Sequence, residues 1–129
     1  MAEIPLYDDG QEVPIARPRD EVRISSASVQ PHADGRRIKL SFSLTPFQER
    51  PNLDVSVLNP AGQEVASFSL IEAMDTEFDF TIHLRGPQPR GEHTLHMVLF
   101  YTEGEEPGGA RQVVDEHHLS FDPAEEAAA

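Results

Sequence analysis

Six histidines spread among 23 acidic side chains make metal binding the first chemistry to test in this sequence. Neutral imidazole and carboxylate are both zinc ligands, and carboxylates alone serve calcium. Spacing decides the matter. His93 and His96 stand three apart in an alternating stretch, which sends them to opposite faces of a strand, and His117 and His118 diverge in the same way. No segment matches a defined calcium loop. The absence of cysteine removes thiolate zinc sites, disulfides and cysteine nucleophiles. No Gly-rich phosphate loop, Gly-x-Ser-x-Gly elbow or His-Glu-x-x-His pair is present, so the expectation is a protein without enzymatic activity and without a cofactor.

The histidines sit on alternating apolar runs. Phe78, Phe80, Ile82 and Leu84 share one face of a strand, with Asp79, Thr81, His83 and Arg85 on the other. Leu95, Met97, Leu99 and Tyr101 share a face of the next run, and Gly86, Pro87, Pro89 and Gly91 force a break between the two. Upstream, Val22, Ile24 and Val29 mark a Ser-rich first strand, and Ala33-Asp34-Gly35 supplies a turn. Ile38, Leu40, Phe42 and Leu44 alternate cleanly in the second strand, and Leu53, Val55 and Val57 point inward in the third. Asn59-Pro60-Ala61-Gly62 reads as a type I turn before a short fourth strand bearing Ala66, Phe68 and Leu70. An acidic connection, Glu72 to Glu77, has room for one helical turn. The seventh strand carries Val113, His117, Leu119 and Phe121 on one face, with Asp115 interrupting the pattern as at a bulge or a strand end.

Seven short strands with turn signals between them predict an all-β, two-sheet antiparallel sandwich. Residues 1 to 20, broken by Pro5, Pro14 and Pro18, read as an extended Pro-rich arm, residues 21 to 122 as the sandwich, and residues 123 to 129 as a disordered acidic and alanine tail. The formal net charge of −13 argues against nucleic acid and anionic lipid as partners. No apolar run is long enough for a membrane span or a secretory signal, so a cytoplasmic protein is expected.

Asn59-Pro-Ala-Gly-Gln-Glu-Val65 and Arg90-Gly-Glu-His-Thr-Leu-His-Met97 resemble the Asn/Asp-x-x-Gly hairpin and Gly-x-Tyr-x-Leu crossover of bacterial immunoglobulin-like and fibronectin type III-like domains. The resemblance spans about residues 20 to 122 and lies at the level of fold. His93 stands where those domains often have tyrosine, and the tryptophan and cysteine pair of antibody domains are absent. The resemblance implies a seven-stranded immunoglobulin-like sandwich whose chain changes sheets between the fifth and sixth strands. His96 then lies beside His118 on the seventh strand, the weak alternative for a metal site in a chain otherwise expected to hold none.

The same topology gathers three connections at one end: 45 to 52, 72 to 77 and 103 to 111. Phe47 and Met74 would stand there among Glu72, Asp75, Glu77, Glu103, Glu105 and Glu106, with Arg50 and Arg111 as counter-charges. The expected function is a protein-interaction or accessory module, taking a protein or peptide of basic character at this end. In the competing reading Phe47 and Met74 fold down as plugs over the core. A small-ligand or metal-binding domain using surface histidines and acids is the alternative function, and self-association through an edge strand, the first or seventh, is a separate one.

Overall fold

The computed structural model describes residues 15–86, 89–103 and 110–124. Seven strands fill it: β1 (Ile24–Pro31), β2 (Arg37–Leu44), β3 (Asn52–Leu58), β4 (Glu64–Leu70), β5 (Glu77–His83), β6 (His93–Thr102) and β7 (Arg111–Phe121). They form two antiparallel sheets ordered β1-β2-β5 and β4-β3-β6-β7. The chain changes sheets from β2 to β3, from β4 to β5 and from β5 to β6, the immunoglobulin-like order that the hairpin and crossover motifs imply. Among the described residues one 3₁₀ turn, Arg19–Glu21, is the only helical segment.

Alternation builds the core. Ile38, Leu40, Phe42 and Leu44 from one sheet meet Leu53, Val55, Val57, Leu95, Met97 and Leu99 from the other, all buried. Register shifts interrupt the period of two in β1, β4 and β7, and sequence alternation gives no sign of the one in β4. In β4, Val57 pairs with Ala66 while Leu58 pairs with Glu64, so Val65 and Ala66 are both buried. In β7, Leu99 pairs with Asp115 and Phe100 with Val113, which leaves Val114 over. The extra residue reverses the alternation, so Val113 points outward and Val114 packs on the core, against the expectation that Val113 shares the inward face.

The bulge also aims Asp115. Its Oδ2 accepts the backbone N–H of Ile24 at 2.9 Å and so stitches the start of β1 to β7 across the two sheets. One side of the sandwich is thereby bridged at one point, with β1 and β7 still the outer strands of their sheets. On the opposite side lie β4 and β5, the free edges of their sheets.

Turn chemistry follows the sequence. Asn59 Oδ1 accepts from Ala61 and Gln63, and Gly62 takes φ +83°. Asp34 Oδ1 accepts from Arg36 and Arg37, its Oδ2 takes the Arg37 guanidinium, and these donors hold its pKa down to about 2. His93 is buried, with Nδ1 2.9 Å from the Gly91 carbonyl oxygen and its ring 5.6 Å from that of Phe121. It makes this hydrogen bond only two residues back along the chain. Gly91 must be glycine, because a Cβ there would lie 2.8 Å from Pro60 Cγ and φ is +87°.

Of the expected arm, residues 1–14 lie outside the described residues. Arg17 forms a bridge beside Phe47, donating to the Pro46 carbonyl at 3.0 Å and accepting from Gln48 at 2.9 Å. Pro123, at the far terminus, is buried beneath the sandwich. No helix among the described residues is long and apolar enough to cross a membrane.

Candidate functional site

The end of the sandwich that receives the β2–β3 and β4–β5 connections is tied together by backbone bonds. The Ala73 N–H donates to the Pro51 carbonyl at 2.8 Å, and the Leu44 N–H to the Thr76 carbonyl at 2.7 Å. Asn52, a buried polar side chain, accepts the Glu72 N–H at 2.8 Å. Glu72 has φ +49°, a left-handed conformation that costs a non-glycine residue of the order of 1 kcal/mol. The 71–76 segment is therefore a pinned loop, and the helical turn that its composition allows does not form.

Pinning has a consequence for the apolar residues. Ala73 drops into the core while its neighbours turn out: Met74 is 79% exposed and Ile71 is 65% exposed. Isolated exposed apolar residues are ordinary, but these two stand on one fixed loop with Glu72 between them. Asp75 is exposed and caps the Thr76 N–H at 2.7 Å, and Glu77 is exposed at the start of β5. Among the described residues none of Glu72, Asp75 and Glu77 pairs with a cation.

The expected site residues separate. Phe47 is partly buried and packs against the core, with its backbone bridged to Arg17, as in the competing plug reading. Met74 behaves in the opposite way. Arg50 is exposed in a groove of about 300 Å³ with Arg19, Glu49, Glu72, Tyr101 and Thr102. The Tyr101 hydroxyl donates to the Glu49 carbonyl at 2.7 Å, and Arg19 reaches over the Tyr101 ring to pair with Glu49 at 3.0 Å. Burial pushes the Tyr101 pKa up, the Glu49 charge adds to this, and Arg19 opposes it.

Arg111 does not serve the loop end. Its guanidinium lies 4.0 Å from the centre of the Phe100 ring and bonds Asp54 at 2.7 Å, back on the outer face of the β4-β3-β6-β7 sheet. Burial raises the Asp54 pKa, but hydrogen bonds from Ser69 and Arg111 and the Arg111 charge more than reverse this, leaving it below the usual carboxylate value. Glu103 is exposed and its N–H donates to the Ala110 carbonyl at 2.8 Å. Glu105 and Glu106 lie outside the described residues. Sequence reasoning missed Ile71 and Asn52. Leu70-Ile71, two apolar residues in a row at a strand end, was the available signal for Ile71, whereas nothing local marks Asn52.

His96 and His118 do pair across β6 and β7, as the sheet order requires. Their rings stack 4.2 Å apart and within 7° of parallel, and His96 Nε2 contacts Glu116 at 3.0 Å. Ligand lone pairs lie in the ring planes, so stacked imidazoles aim them side by side and do not converge on one ion. No group of three or more metal-ligating side chains is gathered among the described residues.

No family model matches the chain, and no curated protein matches it. Solved structures do match. A glycosyl hydrolase family 2 member from Bacteroides cellulosilyticus DSM 14838 aligns over 78% of this chain and 15% of its own, with TM-score 0.58 and 14% identity. A Bifidobacterium dentium β-glucuronidase complexed with coumarin-3-O-glucuronide aligns over 78% of this chain and 18% of its own, with TM-score 0.47 and 17% identity. The chain thus spans about 15% of the length of the first of these enzymes, and at such identity the likeness is one of fold: a small β-sandwich is what this chain and part of that enzyme have in common.

Proposed function

We propose that the protein is a binding module, accessory to a larger partner, that grips a protein segment with the Ile71–Met74 loop. The observation that carries this reading is two exposed apolar side chains on a loop held in a strained conformation by the buried Asn52. Such strain persists only where the surroundings impose it, and it fixes side chains that would otherwise find partial cover. Preorganised apolar anchors with a charged rim are how binding surfaces gain affinity without ordering costs.

The rim sets the partner's chemistry. Glu72, Asp75 and Glu77, without a cation partner among the described residues, favour an apolar side chain flanked by lysine or arginine beside the anchors, and the net charge of −13 speeds its approach. Selection from a displayed random-peptide library tests this. Wild-type protein enriches apolar residues flanked by basic ones, binding weakens as salt rises, and Met74→Asp with Ile71→Asp loses the enrichment. Absence of any enriched motif, or a motif that the double variant retains, defeats the proposal.

A further inference from the structure

The side of the sandwich opposite the Asp115 stitch carries two unpaired edges, β4 and β5, separated by a groove of about 360 Å³ lined by Ala66, Phe68, Phe80, Ile82 and His83. Natural sheets blunt their edges with charge, proline or bulges. The β4 edge is blunted only at its start, where the Val65 carbonyl accepts the Arg85 N–H at 2.9 Å. Beyond it, Ala66-Ser67-Phe68-Ser69-Leu70 contains neither charge nor proline.

Read from Phe68 outward, that stretch is the same in both directions by residue class: serine on each side, then an aliphatic residue on each side. β5 is not symmetric by class about Phe80, but its two ends complement each other in charge. Reversed on itself, Asp79 faces Thr81, Phe78 faces Ile82, and acidic Glu77 faces His83. The two centres touch, for the Phe68 and Phe80 rings are 4.9 Å apart across the groove. A two-fold axis normal to the sheets reverses every strand direction, so each edge meets its own copy antiparallel. One axis running just outside the strands, level with the Phe68–Phe80 contact, therefore serves both edges together.

We infer that this side is a dimer interface, occupied by a second copy of the chain, with β4 pairing β4 and β5 pairing β5 about that axis. A foreign strand would satisfy one edge, whereas a second copy satisfies both and covers the aromatic groove. The first and seventh strands, the edges expected to self-associate, are also sheet edges, bridged to each other at one point by the bond from the Ile24 N–H to Asp115. The loop proposed above as the binding site lies at the strand ends, so the dimer presents two of them.

Sedimentation velocity of the full chain across a concentration series tests the inference. Wild type populates a dimer that tightens as salt rises, because the β4 edge is uncharged while each copy carries −13. Ser67→Lys with Ser69→Lys sets like charges opposite each other in this register and shifts the protein to monomer, and Ser67→Glu with Ser69→Glu does the same. Both serines are exposed, so circular dichroism should show each variant folded. Mixing the two monomeric variants restores a dimer, since unlike charges then face each other. A wild type that stays monomeric at its highest soluble concentration, a lysine variant that remains dimeric, or a mixture of folded variants that stays monomeric would each overturn the inference.

Discussion

Replacing Asp115 should cost more than its half-exposed position suggests. Its carboxylate oxygen is the acceptor for the Ile24 N–H at 2.9 Å, and Ile24 is buried. Asp115→Ala leaves that donor without its partner in a partly buried site, which costs roughly 1–3 kcal/mol, and the lost bond is charge-assisted. About 2 kcal/mol is the working figure, a large share of the 5–15 kcal/mol that holds a typical domain together. With a urea slope of about 2 kcal/mol/M, the unfolding midpoint falls by about 1 M. Asp115→Asn keeps an oxygen acceptor but loses the charge, and a neutral bond about half as strong predicts a fall of about 0.5 M. Urea unfolding followed by circular dichroism gives the midpoints, and amide exchange at Ile24 should quicken in the alanine variant. If Asp115→Ala lies within about 0.5 kcal/mol of wild type, as an ordinary surface change does, the stitch contributes nothing and the reasoning fails.

Phe47→Ala should lower unfolding free energy by about 2 kcal/mol, less than a fully buried phenylalanine because it is only partly covered, while Met74→Ala stays within about 0.5 kcal/mol; urea titration separates the two. Gly91→Ala should cost more than about 1 kcal/mol and lower the melting temperature by several degrees, since it adds a Cβ 2.8 Å from Pro60 Cγ at φ +87°. Asn52→Ala should free the Glu72 N–H and speed amide exchange in residues 71–76, weakening peptide binding although Met74 is untouched. The pKa of Asp34 is lowered from 3.8 to about 2, so it stabilises the fold above about pH 4 and loses that contribution as pH falls toward 2. An Asp34→Asn variant should therefore be less stable than wild type at neutral pH, with the gap closing across that acid window in a pH series of thermal melts.

Much of the sheet was legible because burial imposes a period of two, and β2 shows it without exception. The bulges were less legible: an extra residue at Val65 or Val114 obeys the pairing of a distant strand and leaves no local trace. Asp115 is the partial exception, since a charge in an inward position marked the irregularity without revealing its partner 91 residues away. Phe47 and Met74 show the limit at the loop end. Both are large apolar residues in irregular connections, and only the Arg17 bridge over one and the Glu72 conformation beneath the other decide which is covered. Arg111 was read as a loop charge because it borders the 103–111 connection, yet Phe100 and Asp54, both far off in sequence, claim it.

The two sides of the sandwich differ in a way that ties stability to recognition. At the β1/β7 side a carboxylate is used to end strand addition, since Ile24 offers its N–H inward to Asp115 and not to a neighbour. At the β4/β5 side the chain does the reverse, keeping Ala66 to Leu70 uncharged beside partly buried phenylalanines. An edge left open in that way invites aggregation unless something defined covers it. The loop joining those same two strands carries the exposed Ile71 and Met74. Covering the edges would fix both ends of that loop, and the strain at Glu72 would be shared by a larger rigid body. Edge pairing and partner capture, as proposed, would therefore be coupled through β4 and β5, because the loop proposed to take a partner joins the two strands proposed to pair.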